Sequence, residues 1–189
     1  MSNRVDHHEI DIFKPFMAML TQTIILKKKI SPMGCSFEIN FENGHPLMLV
    51  NGKWRSLSGR KKGYDLSGKH LFEIYKEHFH LHPTYIVKDG QANRIMEIKS
   101  SIQIHGFKAT ATLMYHNGQS DTLVMKGNWI DTYADIVDPI SNAPIARFSR
   151  ILSSRGEVFG QQTYALTVVT DVNMALMSAL CICHAYMVR

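Results

Sequence analysis

Apolar and polar residues alternate along most of this chain in short runs, and a period of two predicts β-strands. In residues 35–41, Phe37, Ile39 and Phe41 interleave with Ser36, Glu38 and Asn40, so one face reads as core and the other as solvent. Similar runs occupy 21–30, 47–50, 53–57, 71–82, 84–88, 95–105, 108–115, 122–130, 133–137, 145–152 and 163–170. Turn signals separate them: Asn43-Gly44-His45-Pro46, Asn51-Gly52, Ser67-Gly68, Asp89-Gly90, Asn117-Gly118, Asp138-Pro139, Asn142-Ala143-Pro144 and Arg155-Gly156. Asn51-Gly52 is the strongest two-residue hairpin signal and predicts 53–57 as a return strand. About a dozen strands with no helix between them make a barrel or a sandwich.

Only the C-terminal end breaks the pattern. Residues 172–188 are apolar on every side, interrupted by Asn173, Ser178 and His184, and Asp171 is placed to cap a helix. A helix apolar all round is buried in a core or a membrane. This one would span about 25 Å, short of the ~30 Å hydrocarbon layer, so a helix buried in protein is expected. The expected fold is therefore mainly β, a barrel or a sandwich wrapped round a buried hydrophobic C-terminal helix. Residues 1–20, with His7, His8 and Phe13-Lys14-Pro15-Phe16, show no period and read as a lead segment to one domain over 21–189.

A hydrophobic content of 45% and a charged content of 20% suit a packed domain and exclude general disorder. The three cysteines offer no disulfide framework. Cys181 and Cys183 point roughly 200° apart on a helix and cannot chelate one ion together. The apolar stretch 16–20 is too short for a signal peptide, no CaaX ending occurs, and position 2 is not the glycine that a myristate needs. A reducing, cytoplasmic or nuclear setting is expected, with peripheral attachment to a membrane and no transmembrane span.

The net charge of +5 is concentrated. Between Lys27 and Lys62 eight basic residues meet two acids, Glu38 and Glu42, which leaves +6 in that window and −1 elsewhere. Such a concentration points to an anionic partner. The candidate lipid- or anion-binding residues are Lys27, Lys29, Lys53, Arg55, Arg60, Lys61 and Lys62. Arg60-Lys61-Lys62, bounded by Gly59 and Gly63, lacks the spacing of a phosphate loop and the helix that follows one. As point charges these side chains could still meet a lipid head group, each contributing about 1 kcal/mol near an anionic surface. The plain alternative is a solvated loop.

Other candidate chemistry is thin. His78, His80 and His82 would share one strand face at a spacing of about 6.7 Å, a pattern able to ligate zinc, nickel or copper or to respond to pH. No third ligand or supporting shell is identifiable, and a wet strand face opposite Phe79 and Leu81 is the simpler reading. Asp131, Asp135 and Asp138 read as turn residues. No Gly-x-Ser-x-Gly, His-Glu-x-x-His or Gly-x-Gly-x-x-Gly occurs, and nothing marks Cys35 as a nucleophile. The expectation is a protein that is not an enzyme and needs no cofactor.

Several segments resemble the LURP-one-related proteins. Leu49-Val50-Asn51-Gly52-Lys53-Trp54-Arg55-Ser56-Leu57-Ser58-Gly59-Arg60-Lys61 resembles a strand-hairpin segment of that family. Similar too are Tyr64-Asp65-Leu66-Ser67-Gly68-Lys69-His70-Leu71-Phe72-Glu73-Ile74, Leu81-His82-Pro83-Thr84-Tyr85 and Lys126-Gly127-Asn128-Trp129. The closing stretch, from Leu166-Thr167-Val168 through Asp171-Val172-Asn173-Met174-Ala175-Leu176 to Ala179-Leu180, resembles the family's terminal helix signature. The resemblance runs over 21–188 and implies a tubby-like fold, a closed barrel of twelve strands threaded by a hydrophobic helix. The wider group includes tubby proteins, which bind phosphoinositides, and phospholipid scramblases; the family has no established catalytic activity. Asn173 stands where that signature usually has an acid, the acidic calcium-binding stretch of scramblases is missing, and His78 and His80 lie outside the pattern. The implied roles are docking to anionic phospholipid or phosphoinositide, a protein-interaction or transcription-linked adaptor with a protein partner, or scramblase-like lipid handling. Nucleic acid is disfavoured as a partner, because aromatic residues do not interleave with the basic cluster.

Overall fold

The period of two becomes a burial pattern in which alternate strand residues enter one continuous core. In the computed structural model the described residues are 11–32, 34–53, 59–78, 80–102, 107–127, 133–151 and 162–187. They form β1 (Gln22–Ser31), β2 (Gly34–Phe41), β3 (Pro46–Lys53), β4 (Lys61–Tyr64), β5 (His70–Glu77) and β6 (Thr84–Asp89). There follow β7 (Arg94–Ile102), β8 (Phe107–Met114), β9 (Ser120–Gly127), β10 (Tyr133–Val137), β11 (Pro144–Ile151) and β12 (Gln162–Val168), then the helix α1 (Met174–Met187). Each strand pairs antiparallel with its chain neighbours and β12 returns to β1, so the sheet closes and leaves no edge. Closure selects the barrel over the sandwich.

Helix α1 fills the barrel. Met174, Leu176, Met177, Leu180, Cys181 and Ile182 are all buried against inward residues such as Ile24, Phe37, Phe72 and Phe148. Its fourteen residues rise about 21 Å. The cap is Asn173 rather than Asp171: the Asn173 Oδ1 accepts the N–H groups of Ala175 and Leu176, both at 3.1 Å. Asp171 takes a left-handed turn instead, at φ 62°. Asn173 also donates from Nδ2 to the carbonyl of Phe13 at 2.8 Å, a bond that an ionised acid here could not make. It holds the lead segment, where a 3-10 helix (Asp11–Phe16) sends Phe13 and Phe16 into the core.

Because the strands alternate in direction, the barrel has two rims. At the entry rim, where α1 begins, five short turns join strands and share one backbone device. Gly44, Gly68, Ala92, Gly118 and Asn142 occupy its left-handed position, with φ between 55° and 88°. In four of the turns that residue's N–H bonds the carbonyl three residues back, as in a type I turn followed by a left-handed residue; the Asn142 turn is one residue longer. The exit rim is where α1 ends, beside Gly34, Gly52 and Lys61.

Two sequence expectations change here. Asn51 and Gly52 lie inside β3, paired to both β2 and β4, rather than in a turn. Gly52 serves close strand approach, since a Cβ there would stand 2.9 Å from the Cys35 carbonyl oxygen and 3.0 Å from Lys61 Cγ. The return strand is β4, and residues 54–57 of the expected 53–57 strand lie outside the described residues, as does the Arg155-Gly156 turn. Strand β5 ends at Glu77, short of His82, because Glu77 already pairs with Thr84 and the reversal must fall between them.

Candidate anion-binding face

Register across the outer surface of β1–β5 brings together residues distant in sequence. Lys29 stands opposite Ser36, Ser36 opposite Asn51, Asn51 opposite Lys62, and Lys62 opposite Glu73. A groove of about 700 Å³ lies over this row, lined among others by Ser31, Asn51, Arg60, Lys62, Tyr64 and Glu73. Lys27, Lys29, Arg60 and Lys62 are all exposed here. Lys29 pairs with Glu38, and Arg60 Nη1 lies 3.3 Å from Glu73 Oε1. Such surface pairs contribute about 0–1 kcal/mol each and leave the cations open to a competing anion.

Not every expected cation joins this face. Lys61 points inward, 6% exposed, because β4 alternates and Lys62 takes the outer side. Its Nζ donates to the Gly59 carbonyl at 2.8 Å and lies 3.7 Å from the centre of the Tyr186 ring. The Gly59–Gly63 segment is therefore half strand rather than a loop, and Gly63 leaves space for the Phe72 ring, whose atoms would stand 2.6–2.9 Å from a Cβ. The side chain of Lys53 and the whole of Arg55 lie outside the described residues.

Sequence reasoning missed the interior partner of Lys61. Lys28 is 1% exposed, in phase with Ile24 and Leu26, and that phase was the available signal. Its ammonium donates to Gln162 Oε1 at 3.1 Å and lies 5.1 Å from the same Tyr186 ring. The Tyr186 hydroxyl in turn donates to Cys35 Sγ at 3.0 Å. Two lysines thus approach one aromatic ring near the C-terminal end of α1, where helix carbonyls favour positive charge.

The histidines do not form the expected strand face. His78, His80 and His82 follow the end of β5 in an exposed connection, and His80 Nε2 pairs with Glu77 at 2.7 Å. Among the described residues no group of three or more His, Cys, Asp or Glu side chains is placed to hold a metal ion. Asp135 pairs with Arg147, raising the guanidinium pKa, and Asp138 accepts the Ile140 and Ser141 N–H groups in a turn; Asp131 lies outside the described residues. Burial pushes the Cys183 thiol up to about 12 and raises that of Cys181 further.

An edgeless antiparallel barrel closed round its own C-terminal helix, with a cationic groove outside, defines a helix-filled β-barrel domain. The family model for LURP-one-related proteins matches residues 22–185, and the chain belongs to that family. A protein from Arabidopsis thaliana solved by X-ray crystallography has the same fold, with a TM-score of 0.64 at 18% identity over 93% of this chain and 96% of that one. No curated protein matches the chain.

Proposed function

We propose that this domain is a non-enzymatic binding module that docks reversibly on anionic phospholipid, phosphoinositides included, through the outer face of β1–β4. One observation carries the reading: the register sets Lys29 in one row with Lys62, under a groove that Arg60 and Lys62 line, with the exposed Lys27 two residues along β1. Four cations at about 1 kcal/mol each suffice for weak, reversible attachment. No helix among the described residues is long and apolar enough to cross a membrane, which favours attachment from one side. The absence of enzymatic activity is part of the proposal; it is supported by Cys181 and Cys183, which burial holds in the protonated, unreactive form.

Flotation with phosphatidylserine vesicles, with and without phosphoinositide, tests the reading. Binding should weaken steeply with salt as the Debye length falls from about 10 Å at 0.1 M to about 3 Å at 1 M. Replacing Arg60 and Lys62 by Gln should cost about 2 kcal/mol, roughly thirtyfold in affinity. Lys61 is left alone, since its side chain is interior. Equal binding by wild type and double variant would discard this face; no binding by the wild type would hand the case to a protein partner.

A further inference from the structure

Ser31 ends β1 and stands in the docking groove as a neutral hydroxyl beside its cations. Residues near the end of β1 alternate across the sheet, so Lys27, Lys29 and Ser31 share the outer face, and all three are exposed. Successive members of that row lie about 6.7 Å apart. Ser31 also lines the groove together with Ser36, Asn51, Arg60 and Lys62. A charge placed on this hydroxyl would therefore act directly on the face proposed to meet lipid.

The sequence round Ser31 is a second, independent observation. Of the six prolines in the chain, only Pro32 follows a serine or threonine. A serine before proline is the acceptor that proline-directed protein kinases take. Pro32 is exposed as well, and Ser31 pairs with Gly34 as the last rung between β1 and β2. The acceptor thus stands at the open end of a hairpin rather than within the sheet. The Ser31 Oγ donates to the Gly34 carbonyl at 3.2 Å, long against the 2.7–2.8 Å or so usual for a hydroxyl donor, so little is lost when that bond is given up.

We propose that Ser31 is a phosphorylation site whose phosphate switches the docking face off, an inference that rests on the docking proposed above. A nucleoside triphosphate supplies the group. The bond from Ser31 Oγ to the γ-phosphorus forms, the bond from that phosphorus to its bridging oxygen breaks, and the hydroxyl proton and a nucleoside diphosphate depart. The phosphate carries about −1.5 to −2 charges at pH 7, which offsets two of the four cations. It sets its own acceptor oxygens before Lys29, Arg60 and Lys62 and repels an anionic bilayer, the way polybasic membrane anchors are released.

The full chain is treated with ATP and proline-directed kinases of the cyclin-dependent and mitogen-activated classes, and mass spectrometry locates the phosphate. It should fall on Ser31 and be missing there from Ser31→Ala. Flotation on phosphatidylserine-containing phosphatidylcholine vesicles then reads the switch. The phosphorylated protein should bind about thirtyfold more weakly than the unmodified one, and Ser31→Glu about fivefold more weakly. Ser31→Ala should bind within about twofold of wild type. So should Lys108→Glu, which changes the net charge by the same two units on β8, across the barrel from β2–β4; circular dichroism should show every variant folded. No phosphate on Ser31, or equal affinity with and without it, overturns the switch and leaves the docking face standing. An equal loss in Lys108→Glu also overturns it, since net charge alone would then explain the effect. A wild type that ignores vesicles removes the docking face, and the switch with it, whether or not Ser31 takes phosphate.

Discussion

Lys61 and Lys62 are neighbours in sequence with opposite surroundings, and their difference can be measured. Lys61→Gln gives up a hydrogen bond to Gly59 and an ammonium–ring contact with Tyr186 inside the barrel, at a cost of about 1–2 kcal/mol. Lys62→Gln, on the surface, should stay within about 0.5 kcal/mol; urea unfolding of both checks the contrast. His184 poses a different competition. It sits in the last turn of α1, where a helix end favours the cation, yet burial against Phe148 wins and lowers its pKa to about 4. Between pH 6.5 and 4 the unfolded chain therefore takes up a proton that the folded chain refuses, and stability falls as pH drops through that window. The loss should reach about 2 kcal/mol at pH 5 relative to pH 7. His184→Asn should lack this part of the pH dependence in urea melts at the two pH values. The inward position of Lys28 was legible from its phase with Ile24 and Leu26, whereas that of Lys61 was not, because four residues of strand carry too short a period.

Strands and turns repeat one solution around the entry rim. Four of the five left-handed positions there are held by Gly or Asn, residues that take this conformation at little cost. Ala92, at φ 68°, is the exception. Ala92→Gly relieves a left-handed alanine worth about 1–2 kcal/mol and loses part of that to the freedom glycine gains in the unfolded chain. The net expectation is a gain of about 0.5–1 kcal/mol, while Gly118→Ala at the equivalent position should lose a similar amount; thermal melts of both read the difference. These turns were legible as Gly- and Asn-containing clusters. Asn51-Gly52 was misread because its glycine meets the other demand on that residue, the close approach of Cys35 and Lys61 within a strand. The 3-10 helix of the lead segment has no period to announce it; its two buried phenylalanines and the Asn173 bond to the Phe13 carbonyl tie it to the core.

For the whole molecule, the count of strands and the buried helix followed from alternation and from the all-round apolar stretch, while closure did not, because register is a property of pairs. The cationic face was half legible: its charges were visible as a window in sequence, but that Lys29 and Lys62 fall in one row across β2 and β3 follows only from register. Closure also places β1 beside β12, with Thr23 and Thr167 in contact across 144 residues of chain. On a ribosome adding about 5–20 residues per second, β1 therefore waits roughly 7–30 s for its second neighbour, and α1, the plug of the interior, emerges later still. Throughout that wait the nascent sheet is an open trough with its apolar lining uncovered, the kind of surface that chaperones engage. The finished protein should also refold slowly, in milliseconds to seconds, as distant pairings require. Stopped-flow fluorescence would show it, and a microsecond refolding phase would contradict it.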